Sequence, residues 1–142
     1  MKVLIRFVIL FFLCATLFSK GKEYGDLYVS NIVRVYDGDT ITVDIEYLPE
    51  IIGEKISVRI YGIDTPEIRS KMPWNKKKAI QARDYLRKRL AEGESIVLKR
   101  VSRGKYFRLV GDLFIDESRV ADELISLGLA REYYGKTKDK WE

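Results

Sequence analysis

The segment 57–67 alternates apolar and polar residues and then stops at a proline, and it constrains the fold more than any other stretch. Val58 and Ile60 alternate with polar neighbours, a pattern typical of a half-buried β-strand. Pro66 has no main-chain donor and disfavours helical angles in the residue before it, so the strand must end there. The strand end and the turn after it are therefore predicted to gather three ionisable side chains, those of Arg59, Asp64 and Glu67.

The order of the other elements predicts a small closed barrel. Five segments have the pattern of strands: residues 27–36, 41–46, 55–63, 96–101 and 106–115. Two helices, residues 76–91 and 119–127, follow the third and the fifth strand. We expect Asn75 to cap the first helix and Gly38 to supply a positive φ in the turn 37–40. This order fits an α+β domain, a five-stranded barrel of the oligonucleotide-binding type with two helices.

Residues 1–21 are predicted to be a secretory signal peptide, not part of the folded domain. Basic residues precede or interrupt an apolar run that continues to Phe18, and small residues follow it. The alternative is an uncleaved membrane anchor formed by residues 3–19, because the run is near the lower length limit for a spanning helix. In both cases we expect residues 22–142 to form a single domain outside the cytoplasm, either secreted or periplasmic.

The composition removes several classes of site. None of the 142 residues is a histidine, which excludes imidazole bases, Ser-His-Asp mechanisms and nearly every zinc site. An enzyme with this sequence would use carboxylates, arginines, lysines, hydroxyls and a hard metal ion. The net charge of +5 falls to +2 without residues 1–21, since these contain three basic residues and no acidic ones. Binding of nucleic acid by bulk charge alone is therefore not predicted.

Asp39 and Asp64 are predicted to face each other at one mouth of the barrel. If the first three strands form a meander, the turn 37–40 and the end of the third strand lie at the same mouth. Two adjacent carboxylates without a cation would repel each other and raise a pKa. A divalent cation removes that conflict, and Ca²⁺ accepts carboxylates together with main-chain carbonyls and water.

Four motifs then occur in a fixed order: DGDT (37–40), R-x-x-x-x-D-T-P-E (59–67), KYFR (105–108) and GLA (128–130). Together they resemble the staphylococcal (micrococcal, thermostable) nuclease family over most of the domain. The resemblance implies a Ca²⁺-dependent phosphodiesterase that acts on DNA and RNA. No protein partner is evident from the sequence, and a monomer is expected. Any contact with a membrane would come through an uncleaved N-terminal segment.

The resemblance also implies roles for individual residues. The calcium ligands would be the carboxylates of Asp39 and Asp64 and the main-chain carbonyl of Thr65. Glu67 would activate or orient the attacking water, and the phosphate would be clamped by Arg59 and Arg108. The positions where the family contacts the nucleotide are Lys105, Tyr106 and Tyr134.

The sequence departs from the family pattern in three places. The loop 68–75 is short, and the long C-terminal helix of the founding member is not expected after Tyr134. Phe107 replaces the glycine usual in KYGR, and Gly104 replaces the acidic residue before it. These departures bear on substrate preference and stability more than on the reaction.

Other interpretations stay open at the level of sequence. Asp39 could only cap its turn, Arg59 could be a solvated cation on a strand face, and Arg108 could pair with Asp112. The whole domain could be a catalytically inactive nucleic-acid-binding barrel. It could also be an extracytoplasmic interaction module that does not bind nucleic acid.

Overall fold

The computed structural model describes residues 22–135, 137–138 and 140–141. The predicted signal peptide lies outside these residues. The strands are β1 (Leu27–Val35), β2 (Thr40–Ile45), β3 (Ile56–Ile60), β4 (Gly62–Asp64), β5 (Ile96–Arg103), β6 (Leu109–Ile115), β7 (Ser118–Arg119) and β8 (Arg131–Tyr133). The helices are α1 (Glu50–Gly53), α2 (Pro73–Glu92) and α3 (Val120–Ser126). In the part of the chain that the structure describes, no helix combines the length and apolar character needed to cross a bilayer.

Five of these strands close into a barrel. They lie in the order β3-β2-β1-β5-β6, and a second pairing of β3 with β6 joins the two ends. The closing pair is parallel, with Val58 opposite Leu109, whereas the other four pairs are antiparallel. Closure leaves these strands without a free edge. The predicted α+β architecture with a five-stranded barrel is therefore confirmed.

The interior of the barrel is filled by the apolar residues of the alternating pattern. On β2 the buried positions are Ile41, Val43 and Ile45, and on β3 they are Ile56, Val58 and Ile60. Successive side chains of a strand point to opposite faces, so each alternate residue reaches the core. Burial of one such side chain stabilises the fold by roughly 1.5–3 kcal/mol.

Helix α2 packs on the barrel with the predicted face, but it begins earlier than predicted. Ala79, Ala82, Leu86 and Leu90 are all buried. The helix starts at Pro73, because proline has the helical φ and needs no donor in the first turn. The prediction that Asn75 is the N-cap is therefore wrong, and Asn75 is a buried residue inside the helix. A third helix, the single turn α1, was also not predicted.

The predicted third strand is divided in two. β3 ends at Ile60, and Gly62 has φ +84°, a conformation that residues with a Cβ rarely adopt. A Cβ at Gly62 would also lie 2.7 Å from Nη2 of Arg119. After this break, β4 pairs with β8 and not with the barrel, and it carries Asp64 at its end. The break thus turns Asp64 toward the hairpin between β1 and β2.

Candidate active site

Two loops distant in sequence meet at one mouth of the barrel, as predicted for Asp39 and Asp64. The main-chain N–H of Thr65 donates a hydrogen bond of 2.9 Å to Oδ2 of Asp39. The main-chain N–H of Ile60 also donates to the carbonyl of Asp39, at 2.8 Å. The β1–β2 hairpin is therefore fixed both to the end of β3 and to the loop that follows β4.

The turn of this hairpin is capped by Asp37 and not by Asp39. Oδ1 of Asp37 accepts a hydrogen bond of 3.2 Å from the main-chain N–H of Asp39. Gly38 does not have the positive φ predicted for it. A Cβ there would lie 2.6 Å from Cβ of Ala82 and 2.8 Å from Cγ2 of Thr65. Glycine is thus required because helix α2 and the next loop pack directly against the turn.

Arg59 binds both aspartates. Its Nη1 donates to Oδ1 of Asp39, and its Nη2 donates to Oδ1 of Asp64 at 3.1 Å and to the carbonyl of Ile63 at 3.2 Å. The Arg59 side chain is 17% exposed, so it is not the solvated strand-face cation of the alternative interpretation. One guanidinium spans both carboxylates, so they lie close enough for a single cation to bridge them.

The charges in this region are unevenly balanced. Burial and the charge of Asp39 raise the pKa of the Asp37 carboxyl to about 7. Burial also acts to raise the pKa of Asp64, but hydrogen bonds from Lys138 and Trp141, with the charge of Lys138, outweigh it and lower that pKa. Burial and Asp39 therefore disfavour the negative charge of Asp37, whereas Lys138 and Trp141 stabilise that of Asp64.

The donor atoms fit a hard divalent cation such as Ca²⁺. Within the described residues, no three Asp, Glu, Cys or His side chains are arranged to hold a metal ion by themselves. A cation between Asp39 and Asp64 would complete its shell with main-chain oxygens and water, which Ca²⁺ accepts. The hydroxyl oxygen of Thr65 lies buried beside them, and no described residue bonds to it. Asp37, Asp39 and Thr65 line a cleft of about 250 Å³, and Asp64 lines an adjoining cleft of about 310 Å³ that also has Thr65 in its wall.

Glu67 and Arg108 lie in a neighbouring cleft. This cleft has a volume of about 460 Å³, and Arg59, Glu67 and Arg108 all line it. Glu67 is exposed and also lines the cleft beside Asp39. The Nε atom of Arg108 is buried, and no described residue accepts a hydrogen bond from it. Asp112, the alternative partner of Arg108, is bound instead by two other arginines, Arg100 and Arg119.

The three predicted nucleotide contacts are only partly brought together. Tyr134 lines the 460 Å³ cleft, and its ring packs edge-to-face on that of Tyr61, with 5.6 Å between the centroids. Lys105 and Tyr106 lie on the exposed β5–β6 hairpin and do not line the clefts described here. In that hairpin Phe107 has φ +60°, a conformation that glycine adopts more readily than a residue with a Cβ.

Two residues at the site were not found by sequence reasoning. Nζ of Lys138 lies 2.6 Å from Oδ1 of Asp64, and Nε1 of Trp141 donates to Oδ2 of Asp64 at 3.0 Å. The C-terminal tail has only an aromatic and basic composition, without spacing that relates it to Asp64. Asp37 belongs to the DGDT motif, but its sequence position alone does not indicate that it caps the turn.

Comparison with known proteins identifies a family and several relatives of this chain. The family model described as staphylococcal nuclease homologue matches residues 57–142. Staphylococcal-like nuclease CAN1 of Arabidopsis thaliana is 35% identical over 97 residues, which are 66% of this chain and 28% of that protein. Probable staphylococcal-like nuclease CAN1 of Oryza sativa subsp. japonica is 32% identical, over 66% of this chain and 27% of that protein.

An archaeal relative covers more of the chain. Uncharacterized protein MJ1439 of Methanocaldococcus jannaschii is 28% identical over 129 residues, which are 75% of this chain and 59% of that protein. This chain thus spans little more than a quarter of the plant relatives, at 28% and 27% of their lengths. The family match extends over more than half of the 142 residues and includes the second half of the barrel and the Arg59–Glu67 motif. The chain belongs to the family of staphylococcal nuclease homologues.

Proposed function

We propose that the protein is a Ca²⁺-dependent nuclease that hydrolyses phosphodiester bonds of DNA and RNA with low sequence specificity. The observation that carries this proposal is the convergence of three groups on one cleft. Arg59, Glu67 and Arg108 line the same 460 Å³ space, directly beside the aspartates that Arg59 bridges. A protein that only binds nucleic acid has no need to keep an exposed carboxylate in the same cleft as two arginines.

Phosphoryl transfer requires mainly positioning and charge stabilisation, and the residues of the cleft supply both. Glu67 is exposed to solvent and can accept a proton from an attacking water molecule. A carboxylate would have this role because the chain has no histidine. Arg59 and Arg108 have planar groups that donate pairs of hydrogen bonds to phosphate oxygens. A calcium ion held by Asp39, Asp64 and the carbonyl of Thr65 would add positive charge beside a non-bridging oxygen.

The walls of the cleft favour substrates with unpaired bases. Tyr61 and Tyr134 present aromatic surface beside the arginines, and every base has a face that can stack on such a ring. Lys105 and Tyr106, on the exposed hairpin, would contact the substrate further from the reacting phosphate. Stacking and phosphate contacts carry little sequence information, so low specificity follows from the chemistry.

The proposal is tested by incubating the purified full chain with single-stranded DNA and RNA oligonucleotides in Ca²⁺, with and without a chelator. We expect cleavage of both substrates that stops when the ion is chelated. Salt-dependent binding without cleavage would instead identify an inactive nucleic-acid-binding barrel. If the protein neither cleaves nor binds nucleic acid, the proposal is overturned. The remaining interpretation would then be an interaction module that has no nucleic-acid role.

We also propose that the domain works outside the cytoplasm, exported through residues 1–21. The support is the sequence pattern of that segment alone. N-terminal sequencing of the mature protein tests it. A new N-terminus close to residue 22 is expected for a cleaved signal. An intact Met1 in a membrane fraction would indicate the anchor formed by residues 3–19, and an intact Met1 in the cytoplasm would contradict export.

A further inference from the structure

The C-terminal segment, defined here as residues 137–138 and 140–141, binds both oxygens of the Asp64 carboxylate. The ammonium of Lys138 lies 2.6 Å from Oδ1, and the indole N–H of Trp141 donates to Oδ2 at 3.0 Å. Arg59 also donates to Oδ1, at 3.1 Å. Asp64 therefore meets a cation and a neutral donor from a segment more than 70 residues away in sequence.

This segment is held in place by contacts outside the site. The side-chain amide of Asn75 donates a hydrogen bond of 2.8 Å to the carbonyl of Trp141, and Arg131 donates one of 2.9 Å to the carbonyl of Lys140. The guanidinium of Arg131 also stacks on the Trp141 ring, 3.9 Å from its centroid. The indole is thus fixed from helix α2 and from β8, so its direction toward Asp64 is set by the fold.

The two contacts differ in what they allow at Asp64. A carboxylate has two oxygens and about four acceptor positions, so a neutral indole donor can remain while the other oxygen binds a metal ion. The ammonium of Lys138 carries a positive charge at the same oxygen that Arg59 contacts. That charge competes directly with any divalent cation for Oδ1. One contact therefore favours metal binding, whereas the other opposes it.

We propose that Trp141 is a positioning residue for Asp64, and that Lys138 is the counter-ion of Asp64 that a divalent cation must displace. This inference rests on the proposed function, since it takes Asp64 as a calcium ligand. It predicts opposite changes in calcium affinity when Lys138 and Trp141, two residues of one segment, are substituted. A segment that only stabilised the fold would give the same direction for both.

Calcium affinity of the full-chain variants, measured by calorimetry, tests the inference. Lys138→Met is expected to bind Ca²⁺ about 3- to 10-fold more tightly, since it removes a partly exposed ion pair. The matched control Lys140→Met removes the same charge from the same segment and is expected to change the affinity by less than about 2-fold. Trp141→Phe keeps the ring but loses the donor, and is expected to weaken binding about 10-fold.

A second measurement does not depend on the metal. In metal-free protein, the indole ¹⁵N–H resonance of Trp141, assigned by comparison with a Trp74→Phe variant, is expected to shift when Asp64 is changed to Asn. An unchanged resonance would show that the contact is absent in solution and would overturn the positioning role. The measurement does not use the Trp141→Phe variant, so it tests the positioning role even if that variant folds poorly.

The outcomes also separate this inference from the proposed function. If the parent binds Ca²⁺ but Lys138→Met and Lys140→Met behave alike, the role of Lys138 is wrong and the nuclease proposal stands. If neither the parent nor Lys138→Met binds Ca²⁺, both the calcium site and the competition are wrong. Tighter binding by Lys138→Met together with weaker binding by Trp141→Phe supports the inference.

Discussion

The main-chain N–H of Thr65 donates a 2.9 Å hydrogen bond to Oδ2 of Asp39, across 26 residues of sequence. This single bond joins the β1–β2 hairpin to the loop that follows β4. It also leaves Oδ1 of Asp39 to face Arg59 and the cleft. The closeness of the two acidic loops, on which the calcium proposal depends, is therefore held in part by the Asp39 carboxylate itself.

Gly38→Ala should destabilise the protein by about 1–3 kcal/mol, because the added Cβ would overlap Ala82 of helix α2 and Thr65. The hairpin would have to move away from the loop that carries Asp64. Urea unfolding and calcium titration should thus show lower stability and weaker binding together. Gly25→Ala is the matched control, since a Cβ at Gly25 would meet nothing within 4 Å. Equal stability of the two variants would contradict the tight packing described for the turn.

Glu67→Gln should lower kcat by about 10²- to 10⁴-fold, because an amide cannot accept the proton of the attacking water. Its melting temperature should stay near that of the parent, since the side chain is exposed. Steady-state cleavage of an oligonucleotide and thermal unfolding measure the two effects. Glu132→Gln, an exposed carboxylate on the nearby β8, should leave kcat unchanged. Parental turnover by Glu67→Gln would remove Glu67 from the mechanism.

Arg108→Met should reduce kcat by about 10²- to 10³-fold, the usual effect of losing one donor to transition-state charge. It should not lower the free energy of unfolding. The Nε atom of Arg108 is buried, and no described residue accepts a hydrogen bond from it, so this atom contributes nothing favourable to stability. Arg103→Met, which removes an exposed arginine stacked on Phe107, is the control for charge near the cleft. A large loss of stability in Arg108→Met would indicate a structural role for this arginine.

Glu123 should make the stability depend on pH in the acid range. Two hydrogen bonds of 2.9 Å from Arg89 are the main cause that lowers the pKa of Glu123 to about 2, from 4.5. The folded protein binds the proton less readily than the unfolded chain. The stabilisation is therefore complete above about pH 4.5 and is lost as the pH falls toward 2.

Glu123→Gln should consequently cost about 1–3 kcal/mol at pH 7 and much less at pH 2, as measured by urea unfolding. Glu94→Gln, at an exposed position, should cost little at either pH. A cost for Glu123→Gln that is the same at both pH values would show that the ion pair between helices α2 and α3 is not its source.

The sequence alone determined the barrel and the buried face of helix α2. Alternation along β2 and β3, and the helical spacing of Ala79 and Leu86, depend only on neighbouring residues, so they can be read without knowledge of the fold. The motifs likewise indicated which side chains are the candidates for the chemistry, because their order and type are local features. These predictions needed no information about distant contacts.

Tertiary structure decided the features that depend on packing between distant segments. Asn75 is buried where its amide binds the carbonyl of Trp141, and Gly38 is a glycine because helix α2 packs against the turn. The contacts of Lys138 and Trp141 with Asp64 join residues as many as 77 positions apart. No local pattern encodes such pairs, because they form only when the fold brings the C-terminal segment to the mouth of the barrel where Asp64 lies.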